Sequence, residues 1–358
     1  MQIGLGVYTG EWLPGEGISR TAVLRNDVAQ ARVAEEAGLD SIWISEHHFL
    51  ENGYNPSVVA MAAAMVAVTE RIRVGPSVVL APLWHPIRLA EDSAMVDVLS
   101  GGRYTLAVGL GYRDAEYAGI GVDRRIRGQY LEELVQIVKQ AWSPENVTFH
   151  GKVFDFEDVP VYPKPVQPGG IPLWLGGHAE VALRRAARYA DGFAMDGGTD
   201  SDIFGAEGHN RDLFWRVEQV VARYREALAR EGKDYETQDF AIVIGGFLSE
   251  AGADDAWAKV QEAYMYTRRV YGDWYGLPED VVAGWYPERM DSAEHARRRT
   301  EIFLGTPDDI VPLFTRLRDI VGENLHVMFR SKYPGVDHET TCASIRLLGE
   351  ARRRALAS

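Results

Sequence analysis

Two hydrophobic rhythms alternate along the chain. Short runs that are apolar on both faces occur at "IGLGVY" (3–8), "SIWIS" (41–45), "IRVGPSVVL" (72–80), "RYTLAVGLG" (103–111), "IPLWLGG" (171–177), "FAMD" (193–196), "FAIVIGGFLS" (240–249) and "NLHVMF" (324–329). Such runs are expected of parallel strands covered by helices. Between them lie longer stretches with apolar residues at helical spacing. In the first, Ser19 is a candidate N-cap, Val23, Val28, Ala31, Ala34 and Ala37 form one face, and Gly38 supplies the stop. Further helices are predicted from Pro56 and Ser57 to about Val68, from Pro86 to Gly101, from about Arg124 to Trp142, over "AEVALRRAARYADG" and from about Asn210 to Glu231. Two more close the chain, over "TPDDIVPLFTRLRDIVG" and "HETTCASIRLLGEARRR".

Strand is followed by helix eight times over. That order predicts an α/β fold, a (β/α)8 TIM barrel with insertions at its C-terminal mouth. An open doubly wound sheet is the alternative. Its dinucleotide turn would have to be "GLGYRDAEY", which has Gly109 and Gly111 but neither the third glycine nor the acidic residue that should follow. Residues 1–358 therefore read as a single barrel domain, with a helical, aromatic-rich insertion at about 250–305.

Composition adds exclusions. The 358 residues are 46% hydrophobic and 25% charged, an ordinary globular balance. A net charge of −14 with no basic block argues against nucleic acid as a partner. An anionic cofactor is still compatible, held locally by backbone amides and a few cations. The lone cysteine, Cys342, allows no intramolecular disulfide and suggests a reducing, cytoplasmic setting. "MQIGLGVYTG" reads as a first strand and not a signal peptide, and no apolar run is long enough for a membrane span.

Barrel sites lie where strands end. "SIWIS" ends on Glu46, His47 and His48, and on an extended backbone at most one of the two imidazoles can face the mouth. A strand-end histidine is either a structural hydrogen-bonding residue or an acid–base group. Their adjacency suits no metal site, and none is expected. Two loops suit phosphate. Gly109, Leu110, Gly111 and Tyr112, with Arg113 near, form one; Gly176, Gly177, His178 and Ala179, opening a helix, form the other. Tight βα turns would use the same glycines. The insertion concentrates Tyr264, Tyr266, Tyr271, Trp274, Tyr275, Trp285 and Tyr286, as a secondary core or dimer patch or as a lid over an apolar substrate. The residues expected to meet substrate are Tyr8, Trp12, Trp84, Asp196, Tyr271, Trp274 and Arg330.

"EHHF" (46–49) resembles the second-strand motif of the bacterial luciferase-like flavin monooxygenases. The resemblance continues from Thr69 to Val122, most specifically in "HPIRLAED" followed by "LSGGR", resumes at "IPLWLGGHAEVALRRAARYADGF", and returns in "TPDDIVPLF" and "NLHVMF". It implies a dimeric (β/α)8 barrel that uses reduced FMN, supplied by a separate flavin reductase, and O2, through a C4a-peroxyflavin, to oxygenate an organic substrate, which the aromatic insertion suggests is small and apolar or aromatic. His47 matches the catalytic histidine. Ser77–Val78 matches a non-proline cis peptide behind the flavin ring, and Leu110, Tyr112 and the 176–179 turn match phosphate contacts. Leu110 stands where FMN-binding members often have arginine, and Ala179 where many have serine. Relatives that use the deazaflavin F420 for hydride transfer are thus the alternative. A non-catalytic flavin-binding subunit is a third reading, disfavoured by the presence of His47.

Overall fold

The computed structural model describes residues 1–13, 17–177, 179–197 and 212–357. Its strands are β1 (Gln2–Tyr8), β2 (Ser41–Ile44), β3 (Arg73–Pro76), β4 (Val79–Leu80), β5 (Leu106–Gly109), β8 (Leu173–Gly176), β9 (Gly192–Asp196), β10 (Asp239–Leu248) and β12 (Leu325–Arg330), all in one sheet. Two further pieces, the antiparallel hairpin β6 (Val147–His150) with β7 (Asp155–Val159) and the short β11 (Phe303–Gly305) beside β10, lie off that path.

Every pairing around the ring is parallel. The third barrel strand is in two halves. β3 pairs with β2 on one side, β4 pairs with β5 on the other, and the Ser77–Val78 peptide between them is cis. With β3 and β4 counted as one, the eight-strand barrel read from the sequence is present.

Helices cover the outside in the expected order: α1 (Arg20–Glu36), α2 (Val58–Val66), α3 (Pro86–Ser100), α4 (Asp114–Ile120), α5 (Arg127–Trp142), α6 (Glu180–Tyr189) and α7 (Leu213–Arg230). Three helices, α8 (Ala253–Trp274), α9 (Glu279–Ala283) and α10 (Ser292–Arg299), form the insertion, and α11 (Pro307–Val321) and α12 (His338–Ala357) close the chain. The stop signals act as read. Ser19 caps α1 by accepting from the Ala22 amide at 3.2 Å, and Gly101 ends α3 in the left-handed region at φ 67°. None of these described helices is long and apolar enough to cross a membrane.

Two apolar layers result. The larger lies between strands and helices, where Ile3, Leu5, Ile42, Ile44, Val74, Val108, Leu173 and Val327 meet the inner faces of the helices. The smaller fills the lumen with Trp43, Ala107, Trp174, Ala194, Ala241 and Met328, and the two indoles stack with centroids 4.9 Å apart. Strand alternation then assigns the layer above. Two residues beyond each luminal residue stand Ser45, Gly109, Gly176, Asp196, Val243 and Arg330, toward the C-terminal mouth. Gly109 has a packing reason: a Cβ there would come 2.8 Å from Val78 Cγ2.

The insertion has its own core of Trp257, Val260, Tyr264, Met265, Val282 and Trp285. The aromatic residues counted together in the sequence therefore divide. Tyr264 and Trp285 are structural, while Tyr271, Trp274 and Tyr275 reach the barrel mouth.

Candidate active site

β2 delivers His47 inward by the same alternation that places Trp43 and Ser45 in the lumen. Its ring is almost buried, and its Nδ1 lies 2.8 Å from Glu116 Oε1. Glu116 is fully buried on α4, and that one oxygen also accepts from the His48 amide at 2.9 Å and from Arg113 Nη1 at 3.0 Å. Burial works against ionisation of Glu116, but the hydrogen bonds from His47, the His48 amide and Arg113 outweigh it and hold the carboxyl below its usual range. With a carboxylate on Nδ1, the ring donates there, and Nε2 is the nitrogen left to exchange a proton. Among the described residues Nε2 makes no hydrogen bond.

Around the imidazole stand Trp274 at 4.7 Å, Tyr54 at 4.9 Å, Tyr112 at 5.6 Å and Tyr271 at 6.3 Å between ring centroids. Tyr112 stacks flat on Tyr275, 4.5 Å apart with planes 7° from parallel. Arg113 lies over the Trp274 ring at 4.7 Å, so one guanidinium joins the insertion to Glu116 and thereby to His47. Tyr54 donates to Ser45 Oγ at 2.9 Å, and its hydroxyl is 2.9 Å from that of Tyr271.

The neighbouring acid and imidazole face the other way. Glu46 accepts from the Leu80 amide at 2.6 Å, from the Trp84 indole at 2.9 Å and from His48 Nε2 at 3.1 Å. It thus ties the second strand to the start of the turn after β4. The hydrogen bond that His48 donates to Glu46 raises the His48 pKa above 6.5, against partial burial.

Ser77 and Val78 are partly exposed between fully buried neighbours, as residues at the floor of the mouth should be. Leu110, Gly111 and Tyr112 line one side, with Gly111 in the left-handed region at φ 73°. Gly176 and Gly177 lead to α6, whose N-cap Ala179 offers no side chain to its first amides. His178 lies outside the described residues. Arg113 is already engaged by Glu116, the His48 carbonyl and Trp274, so it is not a free phosphate ligand.

Tyr271, Trp274 and Arg330 are at the mouth, and Asp196 acts electrostatically on Tyr271 and Tyr275 there. Tyr8 is a correction. It is buried in the layer between strands and helices, where Asp27 and Cys342 act on its hydroxyl, and it does not face substrate. Trp84 is another: its indole is held by Glu46, whose side chain leaves the strand opposite to His47. Trp12 is fixed in the β1–α1 loop by the Ile18 carbonyl at 2.6 Å and by Arg20 over its ring, with no ring contact to the His47 group among the described residues. The residues missed from sequence are Glu116, Tyr54 and Glu11. Glu116 lies beyond the 109–112 stretch read as a phosphate loop, in the segment weighed only as a dinucleotide turn, and Tyr54 follows a glycine in a polar stretch with no periodicity.

The sequence profile of the luciferase-like monooxygenases matches residues 5–323. The chain belongs to that family. Among luciferase-like relatives, an F420-dependent glucose-6-phosphate dehydrogenase of Kineococcus radiotolerans is 34% identical, over 59% of this chain and 60% of its own length. The match therefore spans less than two thirds of that relative. The oxygenase component of a flavin-dependent trigonelline monooxygenase of Acinetobacter baylyi is 31% identical over 71% of this chain and 66% of its own. A monooxygenase of known structure from Streptomyces bottropensis superposes with a TM-score of 0.83 at 21% identity, over 99% of this chain and 100% of that one, a likeness of fold. Luciferase-like relatives thus include both flavin monooxygenases and F420-dependent oxidoreductases.

Proposed function

We propose that this chain is the oxygenase component of a two-component flavin monooxygenase, acting with reduced FMN and O2 on a small organic substrate. The observation that supports this most is His47, its Nδ1 held by Glu116 and its ring set in an aromatic mouth beside the Ser77–Val78 floor. The residues present fit a flavin. Val78 and the glycines at 109 and 176 make a low floor with no large side chain, and the uncapped amides of α6 suit a phosphate. Ser77, Val78, the 109–112 stretch and the 176–179 turn would hold the cofactor. When bound, reduced FMN would supply the electrons that activate O2.

His47 would give or take a proton at Nε2, in an orientation that Glu116 fixes. Tyr54, Tyr112, Tyr271 and Trp274 would keep water away from that proton transfer. The reading carries with it a separate flavin reductase, a homodimer and a cytoplasmic setting.

Hydride transfer with F420 is the second reading. It is favoured by a phosphate loop that offers backbone amides and no arginine, and by the F420-dependent relatives. Titration with FMN, reduced FMN and F420 separates the two. Reduced FMN should bind, and His47→Ala should lower product yield by about 10²-fold or more while FMN still binds. F420 binding with no affinity for either FMN form would overturn the oxygenase assignment.

A further inference from the structure

Arg330 is the last residue of β12, and Met328, two positions earlier, points into the lumen. The guanidinium therefore enters the mouth from below. Its partners in register on the two flanking strands are Gly6 and Gly245, and the Tyr333 hydroxyl lies against the Gly245 side. Nε and Nη2 are buried and have no hydrogen-bond partner among the described residues. Three tyrosines surround the group: Tyr54 and Tyr271, which act on its charge, and Tyr333, whose ring centre is 5.4 Å away.

A buried guanidinium is normally paired, because an unpaired buried charge is costly. Glu11 is the acid that acts on it most directly, yet the two make no ion pair. Glu11 instead accepts from Asn52 at 2.8 Å, and its other oxygen is buried without a partner. Burial pushes the Glu11 carboxyl above its usual range, with Arg330 opposing. The site is also built to keep its shape. Asn52 donates to Tyr266 as well, and Tyr54 meets Tyr271, so the β2–α2 loop and the insertion are joined across the cavity. Flat aromatic walls, Tyr112 on Tyr275 and Trp274 beside His47, belong to the same mouth, and Tyr271, which acts on the cation, packs on Trp274 with ring centroids 4.9 Å apart.

We propose that the substrate of this mouth is a planar, aromatic-type molecule that carries a carboxylate, and that Arg330 binds the carboxylate. A guanidinium with free N–H groups donates to the two oxygens of a carboxylate side by side, which fixes orientation as well as affinity. The other end of the molecule would then lie against the aromatic walls toward His47 Nε2. This assignment rests on the oxygenase reading for the chemistry that follows, but the binding step stands apart from it.

The test is calorimetric titration of the full chain, without cofactor, with benzoate and phenylacetate against their amides, and with inorganic phosphate. At least one carboxylate should bind, its amide should bind about 10-fold or more weakly, and phosphate should not compete. Arg330→Gln should weaken the carboxylate by roughly 10- to 100-fold, with Arg330→Lys in between. FMN affinity should be unchanged in both variants. The wild-type comparison of carboxylate with amide does not depend on how the variants fold. The proposal is overturned if neither carboxylate is preferred over its amide. It is also overturned if phosphate or FMN displaces the carboxylate, because Arg330 would then serve the cofactor. A failure of either FMN form to bind, with the carboxylate preference intact, would sink the oxygenase reading and leave this one standing.

Discussion

One oxygen of Glu116 accepts from His47, Arg113 and the amide of His48, which makes this carboxylate the organiser of the mouth. Glu116→Gln keeps the shape and removes the charge. If His47 has the role proposed above, this should lower kcat by about 10²-fold with a smaller change in KM, since the ring that Glu116 orients would act on the reacting atoms and not on substrate affinity. Steady-state kinetics on the folded variant check this. Acid stability should change too. The folded pKa of Glu116 lies below 4.5, so its contribution is present above the unfolded value and is lost as pH falls through the folded one. The melting temperature of Glu116→Gln should therefore fall less steeply with acid than that of the wild type. His48 has the opposite sign. Its folded pKa lies above 6.5, so its contribution is full below 6.5 and fades as pH rises through the folded value. His48→Gln should flatten that decline. An equal alkaline slope in both proteins would remove the role assigned to the Glu46 pair. Of this residue-scale picture, His47 and its inward direction were legible, because alternation along a strand is a local rule. Its partner was not, because Glu116 lies 69 positions away.

The elements divide along the same line. Long periodic helices and their caps were readable, as were strands buried on both faces. α4 is only seven residues long and was absorbed into a loop reading. The hairpin β6–β7 was missed because it stands outside the barrel and its strands are only four and five residues long with mostly exposed positions, so its apolar alternation is too short to stand out. The insertion was recognised as aromatic, but its division of labour depends on packing. Gly272 of α8 shows this: a Cβ there would come 2.7 Å from Trp285 and 3.1 Å from Val282. Trp285 in turn lies between Arg268 at 5.0 Å and Arg298 at 4.7 Å. Gly272→Leu should cost about 1–3 kcal/mol by overpacking. Hydrogen exchange should quicken across 279–299 and leave the barrel strands unchanged. Uniform loosening of both would contradict a separately packed insertion.

For the molecule as a whole, closure depends on joining the first βα unit to the last. β1 pairs with β12 over five residues, and Arg352 Nε donates to Asp40 at 2.7 Å. Gly349 of α12 presses on the Ala37 carbonyl, where a Cβ would come within 2.3 Å of backbone oxygen. Backbone cannot rotate away as a side chain can. Gly349→Ala should therefore destabilise the fold by roughly 1–3 kcal/mol in urea unfolding, despite the better helix propensity of alanine.

The sequence by itself determined the barrel, the order of its units, the mouth as the place for chemistry and His47 as the residue to watch. The first three follow from short-range periodicity and from the rule that parallel strands end at one rim; His47 was singled out from His48 by the family resemblance. Only the tertiary structure decided which side chains meet there. Tyr8 turned out to lie under the helices and Trp84 against Glu46, while Glu116, Tyr54 and the unpaired Arg330 converge on the mouth from distant parts of the chain. Burial, charge pairing and the lack of a partner are properties of a closed surface, and no local pattern along the chain encodes them.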